Sequence, residues 1–485
     1  VVRDRQPLRL IDAKEAAHHA GAAPSSRASE AASTRVDAAS FFGDIGAAHE
    51  AATGTIRAST VDTELFTAKV FSYQRFDAVS PPSLPENPMS QPSPKSSALP
   101  RTLLSLLLCG AAASALAAPV KVGLALDISG PFAALGAEAR DGFALGIKQL
   151  GGKLGGQEVE FVQADMAGSP DQAKQLVDRM IQRDKIDLFS GPIGSNVALA
   201  VGPTLFNAKV PYLSANAGPS QFAGAQCNAY FFGTAYQNDQ FHEAAGKFAQ
   251  DRAFKKIVLI APNYPAGKDA LGGFKRQFKG QVADELYTKL GQIDYAAELA
   301  QLRASKPDSI YFFLPGAMGI NFIKQFVGAG LSKDITLVTS GFSADEDVIG
   351  AVGEPMLGLF NTSHWAHDLD NAANKAFVAA FRKEYNGRYP SVYAAQAYDA
   401  ILAMDAAVKQ AGGNAQNREA VIAALKKANY ASTRGTFKYA NNHYPIENFY
   451  LRVIGKDAQG KVTNKLINTV LTNYGDSYAD KCPMK

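Results

Sequence analysis

From Val120 onward the chain alternates apolar runs with amphipathic stretches, and this alternation restricts the fold more than any other feature of the sequence. The stretch VKVGLALDIS, residues 120–129, is a largely continuous apolar run, suited to a strand covered by helices on both sides. GAEARDGFALGIKQLG follows, with Ala139, Phe143 and Ile147 on one helical face. After the strand EVEFVQADM, Ser169-Pro170-Asp171 supplies an N-cap, a proline for the first helical position and an acid for the first turn. Ala173, Leu176, Val177, Met180 and Ile181 then form one apolar stripe. DLFSGPIGS, a helix from Asn196, VPYLSAN, AYFFGTA and a helix around DQFHEAAGKFAQD continue the series.

A second series opens at KKIVLIAPN, residues 255–263, and runs through QVADELYT and DSIYFFLPG to DITLVTSGF, with helices between. A long helical stretch, DNAANKAFVAAFRKEYNG to NREAVIAALKKANY, interrupts it, and NFYLRVIGKDAQGKVTNKLINTVL reads as a closing hairpin. Repeated βα units mean parallel, doubly wound sheets, and two series of similar length mean two lobes. The fold class is therefore α/β, with two doubly wound lobes.

Upstream, LLSLLLCGAAASALAAPVKVG at 103–123 has the form of an export signal. Lys95 and Arg101 are its basic part, Leu103 to Leu108 its apolar part, and Ala115-Leu116-Ala117 its small-residue cleavage site. Residues 89–117 thus read as a signal peptide starting at Met89 and cleaved after Ala117. A lipid anchor on Cys109 is the alternative, for which Leu108 is a large neighbour. Residues 1–88, rich in Ala, Ser, Asp, Glu and Arg and without sustained periodicity, read as a non-native or disordered extension.

Export places the chain in a compartment that permits disulfides. Cys227 and Cys482 remain after cleavage and are expected to be bridged, two separate buried thiols being the alternative. Lys plus Arg number 49 against 45 Asp plus Glu, with no basic run, which argues against a nucleic-acid partner.

Reactive constellations do not assemble. There is no Walker loop, H-E-x-x-H or C-x-x-C, and Ser195 and Ser343 lack the glycines of a nucleophile elbow. GAGLSKD at 328–334 follows a helix rather than a strand, so it is not a dinucleotide loop. His242, His364, His367 and His443 are scattered, and surface or hinge roles are expected of them. No catalytic residue, metal site or cofactor is assigned.

Binding features are better represented. SGPFAALG at 129–136, SGPIGSN at 190–196 and SANAGPS at 214–220 each follow a strand and combine hydroxyls with Gly or Pro, beginning with Ser129 in the first. Backbone donors at the carboxyl ends of such strands suit a carboxylate, helix caps and turns being the alternative.

The signal segment, DISGPFAALGAEARDGFALGI, GPIGSNVALAVGP, VPYLSANAG and GKDALGGFK together resemble the periplasmic leucine/isoleucine/valine-binding protein family, the solute receptors of ATP-binding-cassette (ABC) importers, over residues 119–477. NAGPSQFAGAQCNAYFFGTAYQNDQ is most similar to receptors for aromatic carboxylates. The resemblance implies three crossings between lobes near 236–239, 364–369 and 438–442. Residues 118–237 plus 368–440 would form the N-terminal lobe, and 238–367 plus 441–485 the C-terminal lobe.

It also implies a ligand set. Ser195 matches the serine that holds the ligand carboxylate at a helix start, and Asn216, Ala217 and Gly218 match the stretch that donates backbone N–H groups. Leu135 falls where the amino-acid receptors carry a cleft aromatic, and Tyr264 lies near another family tyrosine. In TSGFSADED, Gly341 or Phe342 falls where those receptors place an acid for the ligand ammonium; in a shifted register Asp345 or Glu346 would supply it. A buried, unpaired ammonium is costly, so the ligand is expected to lack an α-amino group. Tyr264, Pro315 and Phe342 would close over its body.

The expectation is a monomeric periplasmic receptor that closes over a small carboxylate and delivers it to an ABC permease. Aromatic or other organic acids stand slightly ahead of branched-chain amino acids. A periplasmic sensor that presents its bound state to a membrane receptor is the alternative.

Overall fold

The computed structural model describes residues 118–484. The extension over 1–88, the signal peptide over 89–117 and cleavage after Ala117 lie outside them.

The first lobe is laid down as β1 (Val120–Leu126), α1 (Ala133–Gln149), β2 (Lys153–Leu154), β3 (Gln157–Asp165), α2 (Pro170–Arg179), β4 (Leu188–Ser190), α3 (Ser195–Asn207), β5 (Tyr212–Ser214), α4 (Ser220–Ala223) and β6 (Phe231–Gly233). Apart from the short antiparallel β2, its strands are parallel in the order β3-β1-β4-β5-β6. Val122, Leu124 and Leu126 enter one core and Ala125 the other, so β1 is covered on both faces, as its unbroken apolar run requires. The Ser169 hydroxyl caps α2 by accepting from the Gln172 N–H, with Pro170 at the first helical position.

The second lobe runs α5 (Asn238–Asp251), β7 (Lys256–Pro262), α6 (Pro265–Gln277), β8 (Gln281–Thr288), α7 (Ala296–Ser305), β9 (Ser309–Phe312), α8 (Ala317–Gly328), β10 (Thr336–Ser340), α9 (Glu346–Val352) and β11 (Phe360–Ser363). Its parallel strands follow the order β8-β7-β9-β10-β11, the same winding as in the first lobe. Helices α10 (Ala372–Glu384), α11 (Val392–Gln410) and α12 (Arg418–Leu425) come next, and α11 packs along α1 of the first lobe. The chain then adds β12 (Lys438–Tyr439), β13 (Pro445–Lys456) and β14 (Val462–Tyr474) to the second sheet, antiparallel beside β11.

β11 has no counterpart among the sequence-derived strands. Its residues FNTS are polar where a buried strand is expected to be apolar. Their side chains are satisfied internally: Asn361 Nδ2 donates to Asn464 Oδ1 and Thr362 Oγ1 to the Phe241 carbonyl.

The chain passes between the lobes three times: from β6 to α5, from β11 to α10, and from α12 to β12. Cys227, in the first lobe, and Cys482, beyond β14, form a disulfide with Cα atoms 5.7 Å apart.

Candidate functional site

In each lobe the strand order reverses beside the first strand, between β1 and β4 and between β7 and β9. Loops that leave adjacent strands in opposite directions open a crevice at such a point. The two crevices face one another across a cavity with about 340 Å³ of space between its lining atoms, open solvent at its mouth included. Its clear centre is only about the size of one or two water molecules.

Nearly every lining residue follows the carboxyl end of a strand. Phe132 and Leu135 follow β1, Ile193 and Ser195 follow β4, Asn216 follows β5 and Tyr236 follows β6. From the second lobe Tyr264 and Ala266 follow β7, Phe313 and Pro315 follow β9, and Phe342 follows β10. Asn238 and His242 on α5 and Tyr393 on α11 complete the wall.

The β4–α3 loop is held from beneath by Asp127. This buried carboxylate accepts from the Ile193 N–H at 2.8 Å and the Gly168 N–H at 2.8 Å, joining two loops of the lobe. Burial raises its pKa, against the pull of those backbone donors. Gly191 opens the loop at φ +90°, where an added Cβ would lie 1.9 Å from the Ala125 carbonyl oxygen, so only glycine fits. Gly194 then begins α3 without a side-chain cap, which leaves the positive end of a 13-residue helix open to an anion.

Ser195 is aimed by its neighbour Asn238. Asn238 Nδ2 donates to Ser195 Oγ at 3.1 Å and to Asp269 Oδ2 at 2.9 Å, while its Oδ1 accepts from the Gly218 N–H at 3.0 Å. With one lone pair of Ser195 taken, its hydroxyl proton is left to donate. Asp269, raised to about 6 by burial and the nearby Asp239 charge, also binds Ser220 Oγ at 2.7 Å across the lobes.

Much of the rest of the wall is aromatic. Tyr264 and Phe313 lie nearly parallel with centroids 6.3 Å apart, and Phe132 of the first lobe approaches Tyr264 at 6.1 Å. Phe342 contacts Tyr236 at 5.1 Å and Phe313 at 5.7 Å. No Asp, Glu, Lys or Arg is among the lining residues. His242 is buried, bonds the Tyr311 hydroxyl through Nδ1, and is held neutral by burial with a pKa lowered to about 3.

Of the expected ligand residues, Leu135, Ser195, Asn216, Tyr264, Pro315 and Phe342 line the cavity. Ser129, Ala217 and Gly218 do not. Ser129 is exposed and its N–H points to Asp165 Oδ1, Ala217 is buried in the core behind β5, and the Gly218 N–H is spent on Asn238. Asn216 presents its side chain, bonded to the Ile193 carbonyl and the Tyr236 hydroxyl.

The shifted register for the acid is also answered by geometry. Asp345 pairs with Arg452 Nη2 at 3.0 Å, and Glu346 accepts from Thr463 Oγ1 at 2.8 Å; neither lines the cavity. Surface or hinge roles were expected of the histidines; none of the four is exposed, and His364 and His367 follow β11 where the chain crosses to α10. His364 is 1% exposed beside Tyr236 and Phe241, and His367 bonds Thr463 and Asn464.

Residues 119–459 match the periplasmic binding protein family. The chain belongs to the periplasmic binding protein family. Leu/Ile/Val-binding protein homolog 6 of Brucella melitensis is 30% identical over 370 residues, covering 74% of this chain and 93% of that protein. Among solved structures, an ABC-transporter solute-binding protein of R. palustris in complex with benzoate is 34% identical with a TM-score of 0.72, covering 76% of this chain and all of that one (100%). Another, from Rhodopseudomonas palustris BisB5 in complex with 3,4-dihydroxybenzoic acid, is 30% identical with a TM-score of 0.70, covering 74% and 99%. Family and fold are those of binding proteins. Among the described residues of this periplasmic binding protein, no helix is long and apolar enough to cross a membrane, and no group of three or more His, Cys, Asp or Glu is placed to hold a metal ion.

Phe132, Ile193, Tyr236, Asn238, His242, Ala266, Phe313 and Tyr393 also line the cavity and are not among the residues expected from the sequence. Tyr236 and Phe313 directly follow strands, and the rule that ligands sit beyond strand carboxyl ends would have found them. Asn238 begins α5, His242 lies one turn further along it and Tyr393 is the second residue of α11; the packing of these helices brings them to the cavity, and their local sequence does not announce it.

Proposed function

We propose that this protein is the solute receptor of an ABC importer and takes an aromatic carboxylate in preference to a branched-chain amino acid. The carrying observation is the charge of the wall: an uncapped helix end and the Ser195 hydroxyl for an anion, aromatic rings for the body, and no carboxylate for an ammonium. An α-amino group enclosed there would lose its hydration without an ionic partner. The small clear volume is that of a closed form, so the ligand enters when the lobes part by hinge motion at the three crossings. In this reading 118–237 plus 368–440 move against 238–367 plus 441–485.

The protein binds and releases its ligand unchanged, as a monomer. It reaches the periplasm by export with residues 89–117 as signal, cleaved after Ala117, and hands the ligand to the permease. Isothermal titration of the purified protein with benzoate, hydroxybenzoates and leucine tests the ligand class. Binding of the aromatic acids and not of leucine is expected. Tight binding of leucine with none of any aromatic acid overturns the reading.

A further inference from the structure

We infer that His242 recognises a hydroxyl group on the ligand ring opposite the carboxylate, so that the preferred ligands are ring-hydroxylated aromatic acids. This rests on the carboxylate reading of the site.

Helix α5 carries both ends of the argument. Asn238 orients Ser195, and His242 lies four residues on, on the same helical face. Four residues rise about 6 Å along a helix, the scale of a benzene ring. A ring whose carboxylate meets Ser195 therefore has its far edge at the level of His242. Phe313 and Phe342 stand beside that imidazole, with centroids 5.0 Å and 6.0 Å from it, and supply the apolar walls of the same pocket.

The polar atoms of the wall are mostly committed. Asn238 spends both Nδ2 protons and Oδ1 within the protein, Asn216 and Tyr236 bond each other at 2.9 Å, and the Tyr393 hydroxyl donates to the Phe342 carbonyl at 3.4 Å. His242 Nδ1 is held by Tyr311, but its Nε2 has no partner among the described residues. The Tyr264 hydroxyl is the other wall group with no partner among the described residues. Burial keeps the imidazole neutral, so Nε2 is a donor in one tautomer and an acceptor in the other. A phenolic hydroxyl serves either tautomer, because it both donates and accepts. A bare ring C–H leaves the nitrogen unpaired, and sites built to bond a hydroxyl reject the analogue lacking it.

Titration calorimetry on the full-length exported protein tests this with 4-hydroxybenzoate and benzoate, on wild type, His242→Phe and Tyr264→Phe, with thermal melts to establish folding. Wild type is expected to bind 4-hydroxybenzoate at least about tenfold more tightly, and His242→Phe to bring the ratio within about threefold. If His242→Phe does not fold, nitrogen NMR of the wild-type histidines replaces it: the Nε2 signal of His242 should move with 4-hydroxybenzoate and stay in place with benzoate. Equal wild-type affinities, a ratio that survives in His242→Phe, a ratio lost only in Tyr264→Phe, or an Nε2 signal indifferent to the hydroxyl overturns the inference while leaving the carboxylate reading intact. Binding of neither acid overturns both.

Discussion

Asn238 of the second lobe donates to Ser195 of the first across 3.1 Å, so the hydroxyl assigned to the ligand carboxylate is oriented by a helix from the opposite lobe. Ser195→Ala removes one hydrogen bond to a charged group, a contribution of about 1.5–3 kcal/mol. Affinity for the aromatic acid should fall about ten- to a hundredfold in titration calorimetry, with little change in melting temperature. Asn238→Ala should lower both affinity and stability, because it also strips a partner from the buried Asp269.

Arg434 clasps the region where the chain crosses between lobes. Its guanidinium reaches Glu447 Oε2 on β13 at 2.6 Å, Asp399 Oδ2 on α11 at 3.3 Å, and the carbonyls of Thr234 at 2.6 Å and Ala235 at 2.7 Å. Burial pushes the Glu447 carboxyl up, and the Arg434 charge beside it pulls it back. Arg434→Met leaves two buried carboxylates uncompensated, and urea unfolding should show a loss of about 3–5 kcal/mol. The loss should shrink as pH falls, since the orphaned groups then take up protons.

The Cys227–Cys482 bridge closes a sequence separation of 255 residues. Long loops lose the most unfolded-state entropy when cross-linked, and native bridges commonly contribute about 2–4 kcal/mol. Reduction, or replacement of both cysteines by serine, should lower the melting temperature by roughly 3–5 °C in a thermal scan.

His443 gives stability a sign with pH. Its ring stacks on Phe232 at 4.2 Å, Nδ1 bonds the Phe231 carbonyl, and burial lowers its pKa to about 4. Because the folded pKa lies below the unfolded value of about 6.5, the contribution is complete above pH 6.5 and is lost as pH falls toward 4, at up to about 1.4 kcal/mol per pH unit. His443→Asn keeps a residue that tolerates the φ of +61° at this position. The stability difference between wild type and His443→Asn should therefore shift against wild type through this window, measured by denaturant unfolding at several pH values.

Most of the parallel strands were legible, because a strand covered on both faces carries a near-continuous apolar run, as in VGLAL and IVLIA. Phe360–Ser363 was not: Asn361 and Thr362 find buried partners that no local pattern announces. In the site, SGPIGSN put Ser195 beyond a strand end, and the resemblance to the family singled out Ser195 and Tyr264. Ala217 and Gly218 belonged to the same loop signature yet are consumed by packing and by Asn238. A loop motif specifies that donors are available, and only the neighbouring elements determine which of them remain free.

The sequence by itself determined a doubly wound chain in two lobes, with cavity-lining groups at strand ends, because hydrophobic periodicity and helix-start chemistry are local. The tertiary structure decided the character of the cavity. Asp345 is drawn away to Arg452, Asn238 crosses between lobes to orient Ser195, and His242 presents a neutral nitrogen from the middle of a helix. Each depends on residues distant in the chain coming within hydrogen-bond range, and that range is set by how the two sheets pack.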